Sequence, residues 1–307
     1  MSEGKIIGAV DIGGTKIAVG AVAETGTIIR RAECAAAPAD GFARAVERTS
    51  GMLREIAAHA SVRFEGIGIA CPGPVDPLTG IIGDVGTLPG WEGGNLMSAF
   101  GRIFGLRVAV ENDADAAALA EANLGAAKGG RCVIYITVST GIGGGIILSG
   151  ELYRGVAGAH PELGHQIIDT SGPLCYCKAR GCWESLASGP AMAAWVREHG
   201  SGAGEFTAAE ICALAREGDE LARRAVEREG YYLGLGLANL ITLFCPDTII
   251  LGGGVMKSHQ LFLNRARQVI REVCTQVPAA KTQIALASLR ADAGLAGAAR
   301  AWFSRYP

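Results

Sequence analysis

The strongest constraint on the fold is a series of strands and glycine turns that occurs twice along the chain. In the first half, apolar β-branched segments at 5–12, 17–23 and 27–34 are separated by short turns. A similar series begins near Cys132, and its first glycine, Gly141, lies 128 residues after Gly13. Each half reads β-β-β-α-β-α-β, which indicates an internal duplication. The pattern therefore predicts an α/β protein of two domains, with a ligand cleft between them.

Charge and composition exclude several classes of partner. The formal net charge is -2 and no run of five or more like charges occurs, which argues against nucleic acid and membrane surfaces as partners. No basic segment followed by an apolar stretch opens the sequence, and no apolar run is long enough to span a membrane, so we expect a cytoplasmic protein. Glycine accounts for 45 of 307 residues, roughly twice its average share. This excess is typical of tight turns and of backbone that approaches a ligand closely.

Three glycine turns are candidate phosphate-binding elements. In Asp11-Ile-Gly-Gly-Thr-Lys16, a strand brings a carboxylate to a turn whose amides can reach phosphate, and Asp11 is a candidate ligand of Mg²⁺ through water. The matching turn of the second half is predicted at 141–145. The third, at 251–255, joins a strand to a helix predicted to begin near Met256. Any one of them is compatible with a plain turn, and none is a Walker A loop or a dinucleotide fingerprint.

Acidic residues follow the last strand of the first half, in Glu111-Asn112-Asp113-Ala-Asp115. Asp113 opens an alanine-rich helix predicted over 113–125. An aspartate at this position commonly caps the helix. Alternatively, it acts as a general base, because a helix N-terminus keeps a carboxylate ionised.

One histidine and three cysteines have the spacing of a metal site. His165, Cys175, Cys177 and Cys182 form the pattern H-x9-C-x-C-x4-C, which predicts a tetrahedral structural zinc site of the Cys3His type, with free thiols as the alternative. Disulfide bonds are disfavoured in the cytosol, and Cys-x-Cys is too short to pair comfortably. The six remaining cysteines lie alone in apolar segments and are predicted to be buried.

Taken together, these motifs resemble the ROK family (repressor, open reading frame, kinase), and most closely its glucokinase-like sugar kinases. The resemblance covers essentially the whole chain. It is carried by Asp-Ile-Gly-Gly-Thr at 11–15, Glu-Asn-Asp-Ala at 111–114, Thr-Gly-Ile-Gly-Gly-Gly at 140–145, Pro-Glu-Leu-Gly-His at 161–165, Gly-Cys-Trp-Glu at 181–184, and Leu-Gly-Gly-Gly at 251–254.

The resemblance implies a duplicated actin-like ATPase (hexokinase-like) fold that binds ATP and Mg²⁺. It makes Asp113 the base that accepts the proton of a sugar hydroxyl. The residues implied to line the sugar are Gly73, Thr87, Asn112, Asp113, Glu162, His165 and Glu184, with His165 also a zinc ligand. Those implied to face the phosphates are Asp11, Gly13, Gly14, Thr15, Lys16, Thr140 and Gly141, with Gly253 and Gly254 near the adenosine.

The expected small domain comprises residues 1–112 with a closing helix at about 291–307, and the expected large domain comprises residues 113–290 with the zinc-binding loop. The resemblance also implies a homo-oligomer, either a dimer or a tetramer. Regulators of the same family carry an N-terminal helix-turn-helix domain, and a first strand near Lys5 leaves no room for one. We therefore expect an enzyme.

The sequence leaves the identity of the sugar substrate open. Glucose, converted to glucose 6-phosphate, is the leading substrate. Thr87 stands where glucokinases usually carry a sugar-binding Asn, and Asp115 stands where these kinases usually carry a second Asn. N-acetylmannosamine, N-acetylglucosamine, mannose and fructose therefore remain alternative substrates, and a non-catalytic sugar sensor is a more distant alternative.

Overall fold

Two mixed β-sheets with the same topology form the framework of the protein. The computed structural model describes residues 4–200 and 205–307, so the first three residues of the expected small domain lie outside the described part. The first sheet has the order β3-β2-β1-β4-β5 and the second the order β10-β9-β6-β7-β8. The strands are β1 (Ile6–Ile12), β2 (Lys16–Ala23), β3 (Ile28–Ala35), β4 (Gly66–Cys71), β5 (Arg107–Asn112), β6 (Cys132–Val138), β7 (Ile142–Leu148), β8 (Glu151–Leu152), β9 (Thr248–Gly252) and β10 (Gln283–Leu286).

The two sheets correspond strand by strand, which confirms the predicted duplicated α/β fold. In the first sheet, β1 pairs antiparallel with β2 and parallel with β4, with Val10 opposite Val19. In the second, β6 pairs antiparallel with β7 and parallel with β9, with Ile136 opposite Gly144. Buried β-branched side chains fill both central strands, as expected for strands covered on both faces.

The predicted glycine turn at 141–145 is wrong beyond Gly141, because β7 already begins at Ile142. The glycines of this strand are required by packing rather than by a turn. A Cβ atom at Gly144 would lie 2.4 Å from the carbonyl oxygen of Tyr135, and one at Gly145 would lie 2.7 Å from the Cβ atom of Ala118. Small residues in β7 therefore let the neighbouring chain segments approach the sheet closely.

The helices of the described residues flank the two sheets. They are α1 (Phe42–Ala60), α2 (Leu96–Phe104), α3 (Asp113–Leu124), α4 (Trp183–Ala187), α5 (Gly189–His199), α6 (Ala208–Glu217), α7 (Glu220–Phe244), α8 (Leu263–Val273) and α9 (Ala293–Arg305). The helix predicted to begin near Met256 is a 3₁₀ segment, Val255–Leu261, which is interrupted at Ser258 and followed by α8. Of the helices within 4–200 and 205–307, none combines the length and apolar character needed to cross a bilayer.

Helices α3 and α9 lie where the two halves of the molecule meet. The closing helix predicted at about 291–307 is confirmed as α9, which packs on the first sheet through Leu295, Trp302 and Phe303. A Cβ atom at Gly297 would lie 2.2 Å from the carbonyl oxygen of Ala116, so the backbones of α9 and α3 are in direct contact. The opposite side of α3 packs against β6 and β7 of the second sheet. Asp113, at the N-terminus of α3, is thereby fixed between the two halves.

Candidate active site

Asp113 lies at the junction of strand β5 and helix α3, and its side chain is exposed. The helix is capped by its neighbour: Asn112 Oδ1 accepts hydrogen bonds from the amides of Ala114 (2.8 Å) and Asp115 (3.3 Å). Asp113 Oδ1 also accepts from the amide of Ala114, at 2.8 Å. Because Asn112 is the capping residue, the Asp113 carboxylate does not have to serve as the cap and can face a ligand.

The surroundings of Asp113 raise the pKa of its carboxyl group. Burial of the site is the main cause, and the charge of Asp115 adds to it, while the Ala114 amide and the positive charge of His160 oppose it. The side chain is accessible from the cleft, yet the surrounding protein limits its hydration enough for desolvation to dominate. A carboxylate with a raised pKa is a better proton acceptor than a fully hydrated one.

A second carboxylate, Asp11, lies near the end of strand β1. Burial, followed by the negative charge of Asp113, raises the pKa of Asp11 to about 6. A Cβ atom at Gly294 would lie 2.1 Å from Asp11 Oδ2, so this carboxylate contacts the N-terminal turn of α9. The positive end of the helix dipole favours an anion at that position. Asp11 and Asp113 therefore form an acidic pair that a divalent cation or a proton would stabilise.

The first glycine turn follows Asp11 directly. The amide of Gly13 donates to the carbonyl oxygen of Lys16 at 2.9 Å, which closes a tight turn. Within it, a Cβ atom at Gly14 would lie 2.9 Å from the Cβ atom of Thr87, so Thr87 packs against this turn. The carbonyl oxygen of Thr15 accepts from the amide of Ala36 at 2.9 Å. The amine of Lys16 lies 3.1 Å from Glu33 on the surface, and this pairing holds it beside strand β3.

The second and third glycine turns meet at the carboxyl ends of β6 and β9. Gly253 has a φ of +95°, and a Cβ atom there would lie 2.3 Å from the carbonyl oxygen of Val138, so only glycine fits. At the second turn, the amide of Ile142 donates to Glu184 Oε2 at 2.8 Å. A Cβ atom at Gly141 would lie 2.3 Å from that same carboxylate oxygen. The structure therefore brings together Gly141, Gly253 and Glu184, which lie far apart in the sequence.

A cavity of about 560 Å³ opens beside these two turns, and Thr140 and Gly254 line it as predicted. The lining residues that the sequence reasoning missed include Gly189, Phe206 and Lys257. Gly189 is the first residue of α5, and its amide donates to the carbonyl oxygen of Ser139 at 2.9 Å. A largely apolar cavity with a few polar groups and one lysine suits a nucleotide. The Ser-Gly-Pro sequence at 188–190, typical of a helix start, was a signal that could have indicated this wall.

A second cavity, of about 500 Å³, lies between the loop 73–83 and the loop 157–162. Three predicted sugar-binding residues, Gly73, Asn112 and Glu162, line it. A Cβ atom at Gly73 would lie 2.8 Å from Asn112 Nδ2, so this glycine keeps the amide accessible. The residues missed here are Asp76 and His160. His160 directly precedes the motif Pro161–His165, which was the only signal in the sequence for its position.

His165 and the three predicted cysteine ligands form one cluster, in which the ligand atoms all lie within 4.8 Å of one another. Cys175 Sγ lies 3.6 Å from His165 Nδ1, and Cys177 Sγ lies 3.5 Å from Cys182 Sγ. Ligands of a tetrahedral zinc ion with bonds of about 2.0–2.3 Å are separated by roughly 3.5–3.8 Å. Two separations in the cluster match this spacing and the others are at most 4.8 Å, so small side-chain movements would let the cluster hold a metal ion.

The cluster is connected to the glycine turn by very few residues. Cys182 immediately precedes α4, whose first turn carries Glu184, the residue that binds the amide of Ile142. The second ring nitrogen of His165, Nε2, lies 2.9 Å from the hydroxyl oxygen of Tyr176. That nitrogen is the one that the resemblance assigns to a sugar hydroxyl, so here it faces a hydroxyl group of the same loop.

Comparison with known proteins decides the family. The sequence model of the ROK family matches residues 7–305. The chain belongs to the ROK family. Relatives include a glucokinase of Thermotoga maritima, 31% identical over 97% of both chains. A xylose repressor of Bacillus subtilis is 37% identical over 67% of this chain and 52% of its own length.

Solved structures of ROK proteins confirm the actin-like, hexokinase-like fold. A ROK hexokinase from Thermus thermophilus superimposes with a TM-score of 0.85 at 35% identity, covering 96% of this chain and 97% of that one. A ROK family glucokinase from Streptomyces griseus, solved with glucose and AMPPNP, gives a TM-score of 0.76 at 34% identity, covering 98% of this chain and all of that one. Both matches extend over the two sheets and the cleft.

Proposed function

We propose that this protein is an ATP-dependent kinase that phosphorylates a hexose hydroxyl, with glucose, converted to glucose 6-phosphate, as its leading substrate. The observation that carries the proposal is the position of Asp113. Asp113 directly follows Asn112, which lines the second cavity beside Glu162, and its charge acts on Asp11 beside the first glycine turn. A base between a sugar-sized cavity and a phosphate-binding turn is what transfer to a hydroxyl requires.

In the proposed reaction, Asp113 accepts the proton of the sugar hydroxyl while the hydroxyl oxygen bonds to the γ-phosphorus of ATP. At the same time the bond between the γ-phosphorus and the bridging β-phosphate oxygen breaks. The products are the sugar phosphate and ADP. Asn112 and Glu162 orient the sugar from the wall of the cavity. Residues 14–15 and 140–141 offer backbone amides to the phosphates, because the amides of Gly13 and Ser139 are already bonded within their turns. Gly253 and Gly254 let the nucleotide approach the end of β9.

Two metal ions belong to the proposal. Asp11 would hold Mg²⁺, which neutralises phosphate charge when it is bound. His165, Cys175, Cys177 and Cys182 would hold a structural zinc ion, which fixes the loop that leads into Glu184. Metal analysis of protein purified without added metal should find about one zinc per chain, and Cys177→Ser should lower that value and destabilise the loop.

The proposed domains are residues 1–112 with 291–307, and residues 113–290, and closure of the cleft between them would assemble the site. The proposal includes a homo-oligomer, a dimer or a tetramer, and requires neither nucleic acid nor a membrane.

A different sugar is the second candidate, because Thr87 packs against the turn at Gly14 and does not line the cavity that contains Asn112 and Glu162. A coupled ADP-release assay with ATP, Mg²⁺ and a panel of hexoses and N-acetylhexosamines identifies the substrate directly. Absence of turnover with every sugar, in folded protein that contains zinc, would contradict the kinase proposal and favour a sugar sensor.

The role of Asp113 has its own test. Asp113→Asn should lower kcat by roughly 10²–10⁴-fold, the usual contribution of a general base, and should retain sugar binding. The matched control is Asp40→Asn, on the surface beside Arg48, which should leave kcat unchanged. Near-normal kcat in Asp113→Asn would refute the role of Asp113 as the base.

A further inference from the structure

A buried carboxylate lies directly behind the proposed base. The side chain of Asp115, in the first turn of α3, is only 1% exposed. Its Oδ2 lies 2.8 Å from Nδ1 of His160, whose side chain is 14% exposed. The missing side chain of Gly145 makes room for this carboxylate, because a Cβ atom there would lie 2.8 Å from Asp115 Oδ1. Strand β7, helix α3 and the loop that carries His160 therefore pack closely around the Asp115–His160 pair.

The imidazole is what compensates for the burial of Asp115. Within the described residues, no donor reaches either oxygen of Asp115 with good hydrogen-bond geometry. His160 Nδ1 lies close to Oδ2, but the angle is poor for a hydrogen bond, so the contact is an electrostatic one. A buried carboxylate without a partner is costly, because it loses hydration without replacement. The pair therefore fixes the ring of His160 through its Nδ1 edge.

The rest of the His160 ring belongs to the cavity that we assign to the sugar. His160 lines that cavity together with Asn112, Glu162 and Gly73. Because Nδ1 faces Asp115, Nε2 is the ring nitrogen that remains for a ligand. A bound sugar requires donors to its hydroxyl oxygens, whereas the carboxylates around the cavity only accept hydrogen bonds when they are ionised. Asn112 Nδ2, which Gly73 leaves accessible, is one such donor, and His160 Nε2 adds a second.

The charges that face His160 come from several elements. Asp113 and Asp115 belong to α3, Glu162 belongs to its own loop, and Asp76 lines the opposite wall of the cavity. Burial lowers the pKa of His160, but contact with Asp115 and the charges of Asp115, Glu162 and Asp113 outweigh it, so that the pKa is raised overall. The ring is thus biased towards the imidazolium form, in which Nε2 carries a proton.

We propose that His160 is a specificity-determining residue that donates its Nε2 proton to one hydroxyl oxygen of the sugar, and that Asp115 is the positioning residue that orients it. This inference rests on the proposed function and adds one defined contact to it. A substrate without that hydroxyl would leave a charged donor unpaired, which sites of this kind discriminate against strongly.

Mono-deoxy analogues of the preferred hexose test the contact. The wild-type protein should lose roughly 10- to 100-fold in kcat/KM with one analogue, the value of a hydrogen bond to a charged group. His160→Ala should lose a similar factor with the parent sugar but become insensitive to that one hydroxyl. His160→Gln, which retains an N–H donor, should recover part of the loss. Equal losses at every hydroxyl position in the variants would overturn the contact.

Asp115→Asn tests the positioning role with a readout that a merely structural residue would not change. Contact with Asp115 helps to raise the pKa of His160, so on raising the pH the variant should lose the imidazolium before the wild type does. The ratio of the variant KM for the sugar to the wild-type KM should therefore increase with pH. ¹⁵N NMR of the His160 ring should show titration at lower pH in Asp115→Asn. A KM ratio that stays constant from pH 6 to 9 would refute the positioning role.

The proposal can also fail separately from the kinase assignment. If the wild-type protein phosphorylates no sugar, the kinase assignment is wrong, and the same series of deoxy sugars is then measured by calorimetric binding. Selective loss of one hydroxyl contact in His160→Ala, with partial recovery in His160→Gln, would still support the inference. Thermal melts show whether each variant is folded, and His160→Gln replaces His160→Ala if the alanine variant does not fold.

Discussion

Replacing Gly297 by alanine tests how closely α3 and α9 pack. The matched control is Gly51→Ala, because Gly51 also lies inside a helix but a Cβ atom there would meet nothing within 4 Å. Both substitutions gain about 1 kcal/mol of helix propensity. They differ only in what the new methyl group meets.

The magnitude follows from the contact distances. A Cβ atom at position 297 would lie 2.2 Å from the carbonyl oxygen of Ala116 and 2.4 Å from its carbonyl carbon. Ordinary contact begins near 3.4 Å, so the two helix backbones would have to separate by about 1 Å. Overpacking of this kind costs about 1–3 kcal/mol or more. We therefore expect Gly51→Ala to be stabilising, and Gly297→Ala to be less stable than it by about 2–3 kcal/mol.

Thermal melts by far-UV circular dichroism measure this difference. At about 2–4 °C per kcal/mol, the first transition of Gly297→Ala should lie about 5–10 °C below that of Gly51→Ala. Because α3 carries Asp113 at its N-terminus, kcat should also fall in Gly297→Ala but not in Gly51→Ala. Equal stabilisation by the two substitutions would refute the argument that the backbones of α3 and α9 are in contact.

Two further predictions concern the buried carboxyl groups of Glu111 and Glu229. Glu111, 2% exposed, is paired with Arg154, whose Nη1 donates to Oε1 at 2.9 Å; Arg154→Met should cost about 3 kcal/mol, and adding Glu111→Gln should restore most of it in urea unfolding. No recovery in the double variant would contradict this. Glu229 is fully buried, and burial raises its pKa from 4.5 to about 8. The native protein therefore retains a proton that the unfolded chain releases, and stability falls as the pH rises from about 5 to 8. Glu229→Gln should flatten this decrease, whereas parallel stability curves would argue against it.

The fold could be predicted largely because its strongest signals are local. The three opening strands and the duplication follow from alternating apolar segments and glycine turns, and these predictions are confirmed. The family resemblance is confirmed by the match over residues 7–305. The prediction for residues 142–145 was wrong because glycine has two uses that sequence alone does not separate. It permits a turn at Gly141, and it permits close packing within β7.

The site was less predictable because its walls depend on contacts between distant segments. The cysteine spacing indicated the metal cluster, and the helix start indicated Asp113. In contrast, nothing local pairs Asp115 with His160 or brings Lys257 to the nucleotide cavity. The contact of Thr87 with Gly14 likewise appears only when the loop 73–91 is folded against the first turn. Such residues become visible only in three dimensions.

The duplication has a consequence for how the two halves share the chemistry. Strands β1 and β6 occupy equivalent places in their sheets, so their penultimate residues, Asp11 and Thr137, stand at equivalent positions in the two copies. A ligand such as a nucleotide bound to a phosphate acceptor has no such internal repeat. Only the first copy carries a carboxylate there, while the second copy places its glycines against Glu184 and the nucleotide cavity. Two copies of one structural unit have thus diverged, and in the proposed reaction one half would neutralise charge at the reacting phosphate while the other would hold the nucleotide.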